Sequence, residues 1–177
     1  TNQTYINDTA KYNIELFFNT ELIPDSKGSG KYEVCIYQSG LGLGNRDYYL
    51  NETPENKKIV SAYMNYLKDM FALYTGEEST AKNALAAIWN VEKELADVSY
   101  TEEQLQDPIL NYNRMSVKDL SIQTNFDWHV YLCNLGYTDT ETVIVSNLEF
   151  LKVACNLFNT LPVKTLQYIY MWNIMNI

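Results

Sequence analysis

Apolar residues recur along the chain with two different periods. Over residues 31–38 the alternation is strict, with Tyr32, Val34 and Ile36 on one side and Glu33, Cys35 and Tyr37 on the other. That two-residue period predicts a β-strand. The stretch up to Ile23 reads as its extended partner. Pro24 has no N–H for a ladder and restricts that partner to an edge or a strand end. Residues 25–30 supply the turn, so the unit predicted is a β-hairpin. Ahead of it, residues 10–18 carry a short helical pattern with Ile14, Phe17 and Phe18 apolar. Behind it lies a glycine-rich loop, Ser39-Gly40-Leu41-Gly42-Leu43-Gly44.

From residue 53 the period changes to that of a helix. Thr53 is placed to cap and Pro54 to fill the first turn. Ile59, Ala62, Tyr63, Tyr66, Leu67, Met70 and Tyr74 then follow helical spacing on one face, and Gly76 marks the stop. A second helix is predicted over 79–97, with Ala81, Ala84, Leu85, Ile88, Val91 and Leu95 as its stripe. The short link between the two implies an antiparallel helical hairpin. Residues 98–115 read as irregular. Ser116 and Asp119 form the start of a short helix, residues 126–135 another closed by Gly136, and residues 142–145 a β-branched strand. Ser146 with Glu149 predicts the cap of a helix whose face holds Leu148, Leu151, Cys155 and Phe158. Pro162 opens a last helix that is apolar nearly all round, a pattern that calls for burial on every side. The expectation is that the natural chain continues and covers it.

The fold class expected is therefore mainly α, a helical bundle with a small N-terminal β-hairpin. Residues 1–177 read as one unit: hairpin and glycine loop over 11–50, helical hairpin over 53–97, further helices and a short strand over 98–177.

Composition narrows the functions open to it. With 46% apolar and 20% charged residues, the 177-residue chain has globular character. Thirteen Lys and Arg against 22 Asp and Glu leave a formal charge of −9, which excludes general nucleic-acid binding by a basic surface. The pair Lys57-Lys58 reads as a solvated helix face. Cys35, Cys133 and Cys155 are too few and too widely spaced for a disulfide framework or a cysteine-rich zinc site. Buried thiols or a single disulfide both remain open. No apolar run is long enough to span a bilayer. The opening Thr1-Asn2-Gln3 shows no signal peptide and no initiating Met, and is read as the start of an excised piece or a mature product.

Catalytic chemistry is sparse. A metallopeptidase helix of the form H-E-x-x-H needs two histidines one turn apart, and this chain has only His129. The glycine loop fits neither G-x-G-x-x-G nor a P-loop, so its glycines read as turn-formers. Glu92 and Glu94 lie two apart on a helix and point to different faces. Arg46 and Asp47 are expected to tie the loop to the first long helix while Tyr48 and Tyr49 pack. Glu102-Glu103 fits the start of a helix. The expectation is that no catalytic, cofactor-binding or metal-ligating residue lies in this chain.

Several segments, in order, resemble the neprilysin and endothelin-converting-enzyme family, including PepO-type bacterial oligopeptidases. Gln38-Ser39-Gly40-Leu41-Gly42-Leu43-Gly44-Asn45-Arg46-Asp47-Tyr48-Tyr49 is similar to the family pattern Q-x-G-L-G-L-P-x-R-D-Y-Y. Gly44 stands where proline is common, a change expected to loosen the loop. Asn90-Val91-Glu92-Lys93-Glu94-Leu95-Ala96, Tyr112-Asn113-Arg114-Met115-Ser116-Val117, Phe126-Asp127-Trp128, Val143-Ile144-Val145 with Phe150-Leu151, and Thr165-Leu166-Gln167-Tyr168 with Met171-Trp172 continue the resemblance. The resemblance implies the N-terminal part of a larger helical lobe in a zinc metalloendopeptidase that cleaves short peptides. The zinc, the H-E-x-x-H helix and the catalytic lobe would follow downstream. This part would shape and enclose the substrate cavity without binding zinc, and the location implied is periplasmic, cell-surface or secreted. A stand-alone helical peptide-binding module and a catalytically dead family member are the alternatives.

Overall fold

The structure, a computed structural model, describes residues 2–4, 16–25 and 30–176. Two strands form the expected hairpin, β1 (Phe18–Pro24) and β2 (Tyr32–Gln38), paired antiparallel from Phe18↔Gln38 to Pro24↔Tyr32. Most of the helix expected over 10–18 lies outside the described residues. At its end the structure corrects it, because Phe18 already belongs to β1.

The hairpin is part of a larger sheet. β3 (Asn113–Ser116) and β4 (Thr142–Val145) complete the order β1-β2-β4-β3. β4 runs parallel to β2, with Val34↔Val143 and Ile36↔Val145, and antiparallel to β3. A parallel pair requires a crossover, and the helices between β2 and β4 provide it. Val34 and Ile36 enter the core as the alternation predicts, but Glu33 and Cys35 on the opposite face are buried too. On that face Arg114 and Thr142 lie against Glu33, and Pro108, Asn111 and Tyr112 border a pocket with Cys35. There Tyr112 Oη donates to Asp25 Oδ1 at 2.9 Å.

Eight helices follow: α1 (Asp47–Leu50), α2 (Pro54–Thr75), α3 (Glu78–Val98), α4 (Glu102–Leu105), α5 (Val117–Thr124), α6 (Trp128–Asn134), α7 (Leu148–Thr160) and α8 (Val163–Met175). The fold is mainly helical, as the pattern implied. Thr53 caps α2 by accepting from Asn56 N at 3.1 Å, and Gly76 ends it at φ +71°. Ser116 caps α5 by accepting from Asp119 N. The segment read as irregular over 98–115 contains α4, whose Thr101 and Gln104 form a full capping box, as well as β3.

Two details differ from expectation. The cap of α7 is Asn147, whose Oδ1 accepts from Phe150 N at 3.0 Å. Ser146 donates its N–H to Ile36 O; this extra sheet contact keeps Ser146 extended and moves the helix start by one residue. On α2 the buried residues are Tyr63, Leu67 and Phe71, while Ile59, Tyr66 and Tyr74 are exposed. α2 packs along α3 on one flank, and the apolar spacing was wider than the flank that is covered.

The core centres on Phe17, Phe18, Phe126, Trp128, Tyr131 and Phe158. Phe17 stacks on Phe158 at 4.4 Å, and Phe18 meets Trp128 at 4.7 Å. Cys35 and Cys155 are buried free thiols, and Cys133 is a half-buried one. No described helix is long and apolar enough to cross a membrane.

Candidate functional site

The glycine loop and the segment after it close like a clasp on α3 and its C-terminal end. Gln38 exchanges two hydrogen bonds with the backbone of Tyr100, accepting from its N at 2.7 Å and donating to its O at 3.3 Å. Arg46 Nη1 donates to Ser99 O at 2.5 Å, and Asn45 Nδ2 donates to Glu102 Oε1 at 2.9 Å. Arg46 thus ties the loop to the end of the second long helix. Asp47 contributes the expected link to the first, through its carbonyl, which accepts from Asn56 Nδ2. Gly44 adopts φ +74° and donates its N–H to Leu41 O at 2.8 Å. A proline does neither, so glycine here closes a turn where the sequence suggested a looser loop.

At the centre of the clasp is Glu92, only 4% exposed. Tyr49 Oη donates to its Oε2 at 2.7 Å and Tyr63 Oη to its Oε1 at 2.6 Å. The N–H of Gly42 also donates to the carboxylate. Behind these, Leu43 N donates to Tyr49 Oη and Trp172 Nε1 to Tyr63 Oη, each at 3.0 Å. One carboxyl group therefore joins the loop, α1, α2, α3 and α8. Burial pushes its pKa up to about 7, against the donors, which pull it down. The same burial and the adjacent carboxylate hold the Tyr49 and Tyr63 hydroxyls well above the usual phenol range. Gly42 has no room for a side chain, since a Cβ there would lie 2.1 Å from Tyr63 Oη. A cavity of about 270 Å³ opens beside the carboxylate between the loop and α8, lined by Gly42, Glu92, Trp172 and Asn173 among others.

Glu94 is exposed, so the two acids of α3 do face apart. The burial of Glu92 was not foreseen, although Ile88, Glu92 and Leu95 share the helical stripe, and that was the available signal. A second buried acid, Glu33, is 6% exposed on the sheet. It accepts from Arg114 Nη2 at 2.7 Å and from Thr142 Oγ1 at 3.3 Å. Asn113 Nδ2 donates to Leu110, Val145 and Ser146 carbonyls, fastening β3 in place.

His129 stands exposed on α6, with Cys133 Sγ one turn on at 3.9 Å. It borders an open groove of about 830 Å³ with Lys118, Ile122 and Asp139. Among the described residues no three His, Cys, Asp or Glu side chains converge as a metal-holding group. The donor set around the one histidine does not fit a zinc centre. The motif residues act instead as joints between elements.

Comparison with known proteins gives a consistent set of relatives. The family model for peptidase family M13 matches residues 2–176. Endothelin-converting enzyme 1 of Cavia porcellus is 31% identical over 172 residues, covering 94% of this chain and 23% of the relative. Neprilysin-3 of Drosophila melanogaster is 30% identical over 149 residues, 80% of this chain and 19% of the relative. In fold, the chain matches Mycobacterium tuberculosis zinc metalloprotease Zmp1 with a TM-score of 0.87 at 24% identity, over 97% of this chain and 27% of that one. It matches PepO from Lactobacillus rhamnosis at 0.74 and 14% identity, over 99% and 28%. The chain spans less than a quarter of the length of the curated relatives described.

Proposed function

The chain belongs to peptidase family M13, as its N-terminal region, and from that premise we propose that it is the non-catalytic part of a zinc metalloendopeptidase that cleaves short peptides. The match along residues 2–176 carries this reading. In it the chain forms one unit of a helical lobe, and its role is to shape and enclose the space in which peptides are cut. Its partner is the catalytic lobe of the same polypeptide, which holds the zinc. That lobe would rest on the apolar surface left open along α2 and α8, where Tyr66 and Ile174 are 47% and 45% exposed. The relatives described are more than four times as long as the segment matched, and supply the polypeptide to cover it. The working location is periplasmic, cell-surface or secreted.

We assign no step of hydrolysis to residues of this chain, whose one histidine cannot supply the two that an H-E-x-x-H helix needs. The test is to incubate the chain with zinc and a set of short peptides, and measure bound metal and cleavage. The expected result is no stoichiometric zinc and no chelator-sensitive cleavage. The parent polypeptide, assayed in parallel, should show both. Chelator-sensitive cleavage by the chain alone, or a parent that binds no zinc, would overturn the proposal.

A further inference from the structure

Among the described residues, the Glu92 carboxyl is the buried acid that faces no cation. The titratable groups that face it are Tyr49 from α1 and Tyr63 from α2. The glycine loop brings only backbone N–H groups, and α8 brings the Trp172 indole, through Tyr63. The neighbouring charges on its own helix, Lys93 and Glu94, are exposed on other faces. An ionised carboxylate there is desolvated and balanced only by neutral dipoles. Relief lies close by, because the cavity of about 270 Å³ beside it is bounded by the two elements the network holds, the glycine loop and α8.

We propose that Glu92 is a proton-operated clasp: with its proton on, and donated to one of the two tyrosine hydroxyl oxygens in place of the bond that hydroxyl gives the carboxylate, it holds the glycine loop and helix α8 closed against α2 and α3, and opening of that seam releases the proton to water as the carboxylate becomes hydrated. The inference rests on this chain's own packing and stands apart from the peptidase reading. Its direction follows from linkage. The closed carboxyl keeps its proton up to about pH 7, and a hydrated one loses it near the ordinary value of 4.5. Opening is therefore favoured progressively as the pH rises between those values, and is level above them.

The experiment is done on the 177-residue chain by NMR. The Glu92 side-chain carboxyl carbon should titrate with a midpoint near 7. Exchange of the Gly42 and Leu43 amides and the Trp172 indole N–H, corrected for the intrinsic rate at each pH, should speed up by roughly tenfold per pH unit between about pH 5 and pH 7. Glu92→Gln should abolish that rise. Gly42→Ala, whose new Cβ would collide with Tyr63 Oη, should exchange fast throughout that range and show no rise. A carbon midpoint below about pH 5, or a rise that survives in Glu92→Gln, overturns the proposal. If Glu92→Gln does not fold, the carbon titration of the unaltered chain decides alone.

Discussion

Two buried glutamates in this molecule are stabilised in opposite ways. Glu33 sits on the sheet, and its charge meets the Arg114 guanidinium at 2.7 Å, with Arg114 itself about half exposed. Glu92 sits between helices and meets only hydroxyl and backbone donors. The sheet joint therefore consists of opposite charges at the rim of the fold, where water shares the cost of desolvation. The helical joint is a buried network of dipoles beside a cavity of about 270 Å³, and its charge is conditional on pH. The comparison shows that the same side chain at similar burial is compensated by an opposite charge in one place and by neutral dipoles in the other.

The largest effect on this comparison should come from Trp172→Ala. It removes a buried indole and the N–H that holds Tyr63, and should lower unfolding free energy by about 3–5 kcal/mol in urea titrations. The sheet joint should keep its contacts in that variant.

Next is the pH dependence. The pKa of Glu92 is raised from 4.5 to about 7, so its contribution is fully present below 4.5 and is lost as the pH climbs to about 7. The chain should be more stable at the acid end of that window by about 3 kcal/mol from this group. Glu92→Gln should flatten this part of the stability profile; an unchanged slope would put its origin elsewhere.

Arg114→Ala makes the sheet joint resemble the helical one, leaving Glu33 buried without its cation. With allowance for the exposure of Arg114, the loss should be about 2 kcal/mol. Adding Glu33→Gln should restore most of the difference, and a double mutant no better than the single would break the comparison. The smallest effect belongs to Thr142→Val, which removes two long hydrogen bonds of 3.3 Å, one to Glu33 and one from Arg114, and should cost about 0.5–1 kcal/mol by thermal unfolding.

Much of the helical scaffold was legible from local signals. Thr53, Pro54 and Gly76 bounded α2, the alternation over 31–38 gave β2, and the β-branched run gave β4. Thr101 and Gln104 also carried a readable capping box that the irregular look of the flanking residues obscured. The joints were harder to read. Glu92 and Glu94 were placed on different helix faces with no local sign of which face is buried, and Ser146 looked like a cap until sheet pairing took it. On α2, apolar spacing marked both a covered and an uncovered flank, and nothing local distinguishes them.

The sequence by itself determined most of the elements, the caps of α2 and α5, and the resemblance to the neprilysin family, because these depend on residues within a few positions or on ordered motifs along the chain. Only the tertiary structure decided that the hairpin joins β4 and β3 in one sheet. Only it decided that Arg46 reaches Ser99, that Gly42 yields its side-chain space to Tyr63, and that Glu92 lies at the meeting of five segments. The physical reason is that burial and charge compensation are set by groups distant in sequence. Tyr63 and Trp172 are 109 positions apart, yet the bond between them helps set the environment of a carboxylate on a third helix.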